Sequence, residues 1–184
     1  RCNFALTQDT MILVTLVRQY TVTSNRTEGG VLYLNDVLCD TLVADENSTV
    51  SMKVVAEEGY RIDSIFVGEA EIPNVLNLTE YEGTFTLTED TVITVNFIHI
   101  WTVTVTHKGD GTVTVDPSAQ GGSVTVLSGT TVKITATPNE GCRVSGVTVN
   151  GKADTSVTGE NDSDYYKELV ADREYTVEVT FAPN

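Results

Sequence analysis

A stretch near the start of the chain recurs later in the sequence, and this repeat constrains the fold more than any other feature. Residues 3–17 read NFALTQDTMILVTLV, and residues 84–97 read TFTLTEDTVITVNF. Phe4 aligns with Phe85, a shift of 81 residues (85 − 4 = 81). A shift of this length, repeated along the sequence, predicts an array of similar units rather than one large domain.

The alignment continues to the end of the chain with small changes in spacing. Residues 58–62 align with residues 140–144 at a shift of 82, and residues 95–97 align with residues 179–181 at a shift of 84. The growing shift indicates short insertions, which loops tolerate best. The repeat therefore predicts three segments: the closing strands of a preceding repeat (1–17), a first module (18–100) and a second module (101–184).

Alternation of apolar and polar residues predicts the secondary structure. The stretches WTVTVT (101–106), TVKITAT (131–137) and YTVEVTF (175–181) alternate with period two, which is typical of strands with one buried and one solvated face. Turn sequences such as VNGK (149–152) separate them. We expect an all-β chain of tandem small antiparallel β-sandwich-like modules, with β-grasp-like modules as the alternative.

The ordered motifs of the second unit carry a family resemblance. Between residues 111 and 181 the chain reads GTVTVDP, then SGTTVKITATPNEGCRVSGVTVNGK, then YTVEVTF. This order resembles the divergent internalin-B-type B-repeat family, although Cys142 replaces the aromatic residue of the family's Gly-Tyr step. The resemblance implies a non-catalytic tandem repeat region of an exported bacterial cell-surface protein, acting as a stalk, spacer or adhesion module.

The same resemblance implies a location and a set of partners. The location would be extracellular, either on the cell surface or secreted. The partners would be other repeats of the same protein, and a host or bacterial surface protein or a glycan. A second interpretation is an accessory carbohydrate-binding region of a secreted glycan-degrading enzyme, which would need exposed aromatic side chains such as that of Trp101.

Charge and hydropathy exclude two further classes. The formal net charge is −15, and such an acidic surface repels phosphate backbones, so nucleic-acid binding is not expected. The sequence holds no apolar run long enough to span a membrane.

We find no catalytic constellation in the sequence and expect neither enzyme activity nor a cofactor. The two histidines, His99 and His107, have no equivalents in the other repeat. One acidic loop, GENDSD, places carboxylates at Glu160, Asp162 and Asp164. These oxygens suit calcium, but the loop lacks the full spacing of a calcium loop, and a solvated surface loop is the simpler interpretation.

The joint between the units is short and apolar. Residues 98–101 read IHIW, unlike a flexible linker, so we expect a fixed contact near Ile98, Ile100 and Trp101. Trp101 then either packs at this joint or presents a platform for a sugar. Ahead of the first unit, we expect strands around Phe4–Leu6 and over Met11–Val17.

The alternation also predicts which side chains form the two cores. The expected core residues are Val54, Ile62, Phe66, Phe85, Ile93 and Val95 in the first module, and Ile134, Val144, Val147, Val177, Val179 and Phe181 in the second.

Overall fold

The protein is built from β-strands. The computed structural model of the chain describes Met11, residues 13–157 and residues 164–184. These residues form sixteen strands and no helix. The all-β prediction is confirmed, and so is the arrangement as tandem β modules.

The first module contains the first eight strands and half of the ninth. Their bounds are β1 (Gln19–Arg26), β2 (Gly30–Leu34), β3 (Val37–Leu38), β4 (Thr41–Asp45), β5 (Thr49–Ala56), β6 (Tyr60–Val67), β7 (Ala70–Glu71), β8 (Glu80–Thr86) and β9 (Thr91–Lys108).

The second module contains the other half of β9 and seven more strands. Their bounds are β10 (Gly111–Asp116), β11 (Ser123–Leu127), β12 (Thr131–Pro138), β13 (Cys142–Val149), β14 (Lys152–Ala153), β15 (Tyr165–Val170) and β16 (Tyr175–Pro183).

Each module consists of two sheets with a core between them. In the first, β3-β2-β5-β8 form one sheet, and β1, β4, β6, β7 and the first half of β9 form the other. In the second, β10-β12-β15 face a sheet made of β11, β13, β14, β16 and the second half of β9. Buried side chains from both sheets form one cluster per module. With no helix among the described residues, the modules correspond to the sandwich-like form rather than the β-grasp-like alternative.

Two of the strand pairings are parallel, whereas the others are antiparallel as expected for these modules. In the first module β1 runs parallel to β9, with Val22 opposite Thr91. In the second module β9 runs parallel to β16, with Val103 opposite Tyr175. These pairs occupy the same positions in the repeat, so both modules use the same register between their opening and closing strands.

A β-bulge explains where the predicted core of the first module differs from the observed one. Val54, Ile62, Ile93 and Val95 are fully buried, but Phe66 is only half-buried and Ile65 lies in the core instead. The register of β6 against β9 shifts after Ile62, and the extra residue of a bulge changes which face later side chains take.

Phe85, also predicted in the core, is half-buried and packs against the core from the outside of the cluster. In the second module all six predicted core residues are buried. The bulge recurs there between Val144 and Gly146, at the equivalent place in the repeat.

The described part of the segment before β1 forms no strand. Met11 and residues 13–18 lie outside the sheets, and Leu13 and Leu16 are 86% and 91% exposed. The strand predicted over Met11–Val17 is therefore absent from the residues described there. The strand predicted around Phe4–Leu6 lies outside the described residues.

In each module a phenylalanine of the closing strand packs over the glycine that begins the second strand, β2 in the first module and β10 in the second. A Cβ atom added to Gly30 would lie 2.2 Å from Cζ of Phe97 and 2.5 Å from the carbonyl oxygen of Val55. A Cβ atom added to Gly111 would lie 2.6 Å from ring carbons of Phe181. Both glycines are therefore required by close packing, since the phenylalanine ring occupies the space that any side chain would take.

This packing gives the first prediction. Gly30→Ala should destabilise the first module by about 1–3 kcal/mol, because the added methyl group overpacks the core beside Phe97. Chemical denaturation of the whole chain measures the change. Gly146→Ala is the matched control, since nothing lies within 4 Å of its added Cβ. Equal stability of the two variants would contradict the packing argument.

Candidate functional site

The joint between the modules lies within one strand. β9 is 18 residues long, and the first module ends and the second begins inside it. The amide of Ile100 donates to the carbonyl of Gly59 in the first module at 2.8 Å, and the amide of Ser128 in the second module donates to the carbonyl of His99 at 2.8 Å. The His99–Ile100 peptide unit is thus held from both sides, which confirms the predicted contact at the joint.

Three aromatic side chains fill the joint. The rings of His99 and Trp101 stack with centroids 3.9 Å apart at 18°, and the ring of Tyr60 meets His99 edge-on at 4.7 Å. His99 and Trp101 are two residues apart on a strand, so their side chains lie on the same face. Tyr60 reaches them because it starts β6, where it is paired with His99. Tyr60 packs against the core of the first module and Trp101 against the core of the second, so the stack connects the two cores.

Trp101, the candidate for sugar stacking, lies in this joint. It is half-buried, packs against the core of the second module and has one ring face covered by His99. Its indole Nε1 is buried, so that donor is not presented to a ligand in solvent. The geometry favours packing at the joint over a platform for a sugar.

The acidic loop is only partly described. Glu160 and Asp162 lie outside the described residues. Asp164 is exposed and immediately precedes β15. Among the described residues no group of three or more His, Cys, Asp or Glu side chains is placed to hold a metal ion. Calcium binding by Glu160, Asp162 and Asp164 remains a prediction.

A polar cluster around Asp154 is a feature that the sequence analysis missed. One carboxylate oxygen of Asp154 accepts hydrogen bonds from Nζ of Lys167 at 2.8 Å and from the hydroxyl of Tyr165 at 2.8 Å. The other accepts from the amide and the hydroxyl of Ser156 at 2.9 Å and 2.7 Å. The Asp-x-Ser spacing is a local turn signal that the sequence does contain, but the partners on β15 are distant in sequence.

These contacts change the acidity of two groups. The hydrogen bond from Lys167, followed by those from Ser156 and Tyr165, holds the pKa of Asp154 well below its usual range. Burial, and then the hydrogen bond to Asp154, raise the pKa of Tyr165. Through these contacts the cluster ties the connection between β13 and β15 to β15 itself.

A polar cleft of about 680 Å³ lies at the end of β1. Arg26 in this cleft contacts the carboxylate of Asp40 at 3.3 Å and donates to the carbonyl of Gly30 at 2.8 Å. Glu28 and Glu57 also line it. The hydroxyl of Ser24 also lines the cleft and donates to the carboxylate of Asp40 at 2.8 Å. No histidine, cysteine or lysine is among the described residues that line it.

The histidines do not form a catalytic pair. His99 belongs to the joint, whereas His107 lies eight residues further along β9 (107 − 99 = 8), edge-on to Phe181.

Within the described residues there is no helix that could cross a bilayer.

Comparison with known protein families identifies a match over both modules. A family model described as the divergent InlB B-repeat domain matches residues 20–100 and again residues 101–184. The two matches together cover most of the chain and meet at Ile100, inside β9. A search of curated proteins finds no match.

The joint gives the second prediction. Trp101→Ala should destabilise the second module by about 2–3 kcal/mol, because it removes a large side chain from the core edge. It should also speed amide hydrogen exchange at Ile100, measured by NMR, because the stack that shields this bond is lost. The control is Tyr166→Ala, an aromatic residue that is 55% exposed and whose loss should change stability by less than about 0.5 kcal/mol. Unchanged exchange at Ile100 would contradict the role of the stack.

The third prediction concerns pH. Asp154→Ala should cost about 2 kcal/mol at neutral pH, because Lys167 and Tyr165 lose a charged acceptor. A carboxyl whose pKa is lower in the folded protein stabilises it above the unfolded pKa of about 4, and this contribution is lost as the pH falls. The difference between wild type and variant should therefore shrink below about pH 4.

Urea denaturation at several pH values measures this difference. Asp172→Ala is the control, since Asp172 is an exposed carboxylate paired with Arg173 and surface pairs contribute little. A difference between wild type and Asp154→Ala that stays constant from pH 7 to about pH 2 would show that Asp154 does not act through its charge.

Proposed function

Because the chain belongs to the divergent InlB B-repeat domain family, we propose that it is a non-catalytic tandem repeat region of an exported bacterial cell-surface protein. Its role is that of a stalk or spacer that carries other parts of the protein away from the cell. The family match itself supports a bacterial repeat module, and the features below support the more specific role.

The observation that carries the proposal is the shared strand. A spacer must hold successive units in a fixed relation, and β9 does so because it belongs to both modules without an intervening linker. At about 3.3 Å per residue, its 18 residues extend over about 60 Å. Repeats of this kind contact mainly their neighbours and can be added in series.

The segment ahead of β1 supports the same array. Val14 and Leu16 align with Val95 and Phe97 (95 − 14 = 97 − 16 = 81), which face the core from β9. We therefore assign residues 1–17 to the closing strands of a preceding repeat. In that repeat these two exposed side chains would be buried as their equivalents are.

The acidic surface fits a location outside the cell, and the scarcity of exposed aromatic side chains disfavours a glycan partner. The net charge of −15 keeps repeats apart and soluble. Tyr166 is the one aromatic side chain among the large, exposed apolar residues of the described regions. A carbohydrate-binding surface would need a row of exposed aromatic rings, so the accessory glycan-binding role is the weaker candidate.

The fourth prediction tests location and role in the bacterium that makes the protein. Antibodies against residues 18–184 should label intact cells, and protease added outside should remove the labelling. Labelling only after lysis would overturn the proposal of surface display.

A domain swap then separates a spacer from an adhesin. Deleting residues 18–184 should impair attachment mediated by the rest of the protein, and an unrelated tandem β module of similar length should restore it. If only the native repeats restore attachment, the region binds a ligand itself. A glycan array with the purified chain would then identify a sugar ligand.

A further inference from the structure

The first and last strands of each module lie side by side and point in the same direction. In the first module β1 pairs with β9 over five residues, from Val22 opposite Thr91 to Arg26 opposite Val95. In the second, β9 pairs with β16 over six residues, from Val103 opposite Tyr175 onwards. The chain therefore enters and leaves each module through neighbouring parallel strands.

A carboxylate secures the start of this pairing in both modules. Oδ1 of Asp90 accepts a hydrogen bond from the amide of Thr21 at 2.8 Å. At the equivalent place, Oε2 of Glu174 accepts from the amide of Thr102 at 3.0 Å. Asp90 and Glu174 each precede the closing strand, so the acceptor recurs although the residue type differs.

The other end of the pairing is also extended in the first module. The amide of Thr27 donates to the carbonyl of Val95 at 3.1 Å. The amide of Phe97 donates to Oγ1 of Thr27 at 2.8 Å. Together with Asp90, these bonds continue the contact between the two strands beyond both ends of the ladder.

We propose that the opening and closing strands of each module form a shear clamp that bears tension along the chain. This inference rests on the proposed stalk function, because a stalk transmits the pull on whatever it carries. Tension enters β1 at its amino end and leaves β9 at its carboxyl end. Since the strands are parallel, it pulls them past each other.

The direction of the load decides how the bonds fail. Interstrand hydrogen bonds run across the strands, so a pull along the strands loads all of them together. A pull on the same end of both strands would open the bonds one after another. Forced unfolding is governed by the barrier to unfolding rather than by equilibrium stability. Because shear has to break all of the bonds together, its barrier is higher, and the module should resist far more force in this direction.

The shared strand delivers this load to the next module in the same geometry. Tension that leaves the first clamp passes along β9 through the joint and enters the second clamp at Val103. Residues 28–89 lie between the two clamp strands of the first module in sequence, outside the direct path of the load. While the clamp holds, the rest of the module carries no tension.

The experiment compares two pulling directions on the same protein by single-molecule force spectroscopy. The full chain, with its three native cysteines replaced by serine, is attached through Arg18→Cys and Lys108→Cys to load the first clamp in shear. Attachment through Arg18→Cys and Glu89→Cys pulls the same ends of β1 and β9 apart. The released chain length shows that the first module has opened, and both proteins must match the cysteine-free parent in melting temperature.

We expect the shear direction to need several-fold more force than the unzipping direction. Equal forces in the two directions would overturn the clamp. Because this comparison uses purified protein, it can fail while the surface location stands, and the cell-labelling experiment can fail while the clamp stands.

A variant tests the carboxylate. Asp90→Ala should lower the ratio of shear force to unzipping force for the first module. Asp90→Asn is the control, since it keeps an oxygen to accept from Thr21. A general loss of stability would lower both forces, so an unchanged ratio in Asp90→Ala would remove Asp90 from the clamp.

Discussion

One continuous strand with partners on both edges along its length determines how the modules are arranged. β9 pairs with β1 and β6 over its first half and with β11 and β16 over its second half. Backbone amides and carbonyls inside a protein have to be paired, and here the pairs come from two modules in turn. The sheets of the two modules therefore meet in one surface around a common strand.

In this arrangement, folding of the first module also sets the position of the second. The bonds that complete the first module's sheet also position the first strand of the second, so orientation between the modules does not depend on a separate interface. The Tyr60–His99–Trp101 stack then fills the space between two cores that the strand has already aligned. A repeat protein built this way gains its rigidity from nearest neighbours.

The sequence predicted the repeat, the strands and most of the core because these follow from residue order and alternation. The turn at Asn150-Gly151, where both residues have positive φ, could also be inferred from its sequence. The bulge after Ile62 could not, because Asp63 and Ser64 fit either face of a regular strand. Alternation also does not specify which strands are neighbours, so the parallel pairs were not predicted.

The candidate sites were harder to predict than the fold for a related reason. A side chain's chemistry depends on partners brought from elsewhere in the chain, as with Asp154 and Lys167. Trp101 shows the same limit: its residue type suits both a sugar site and a core edge, and its burial, its packing against the second core and the stacked ring of His99 distinguish the two. By contrast, the contact at residues 98–101 could be predicted, because the absence of linker residues is visible in the sequence.

The shared strand also restricts how the array can change in evolution. Both cores lie on one face of β9, at Ile93 and Val95 in the first module and Val103 and Val105 in the second. Successive side chains on a strand point to opposite faces, so a single inserted residue between the cores would turn one module's apolar face to solvent. The segments within the modules differ in length, as the shift rises from 81 to 84, yet Val14–Val95 and Tyr20–Trp101 keep one shift across the joint (95 − 14 = 101 − 20 = 81). In a regular strand the joint can therefore change length in steps of two residues, whereas the segments within the modules differ by one residue before residue 58 and by two residues after residue 62.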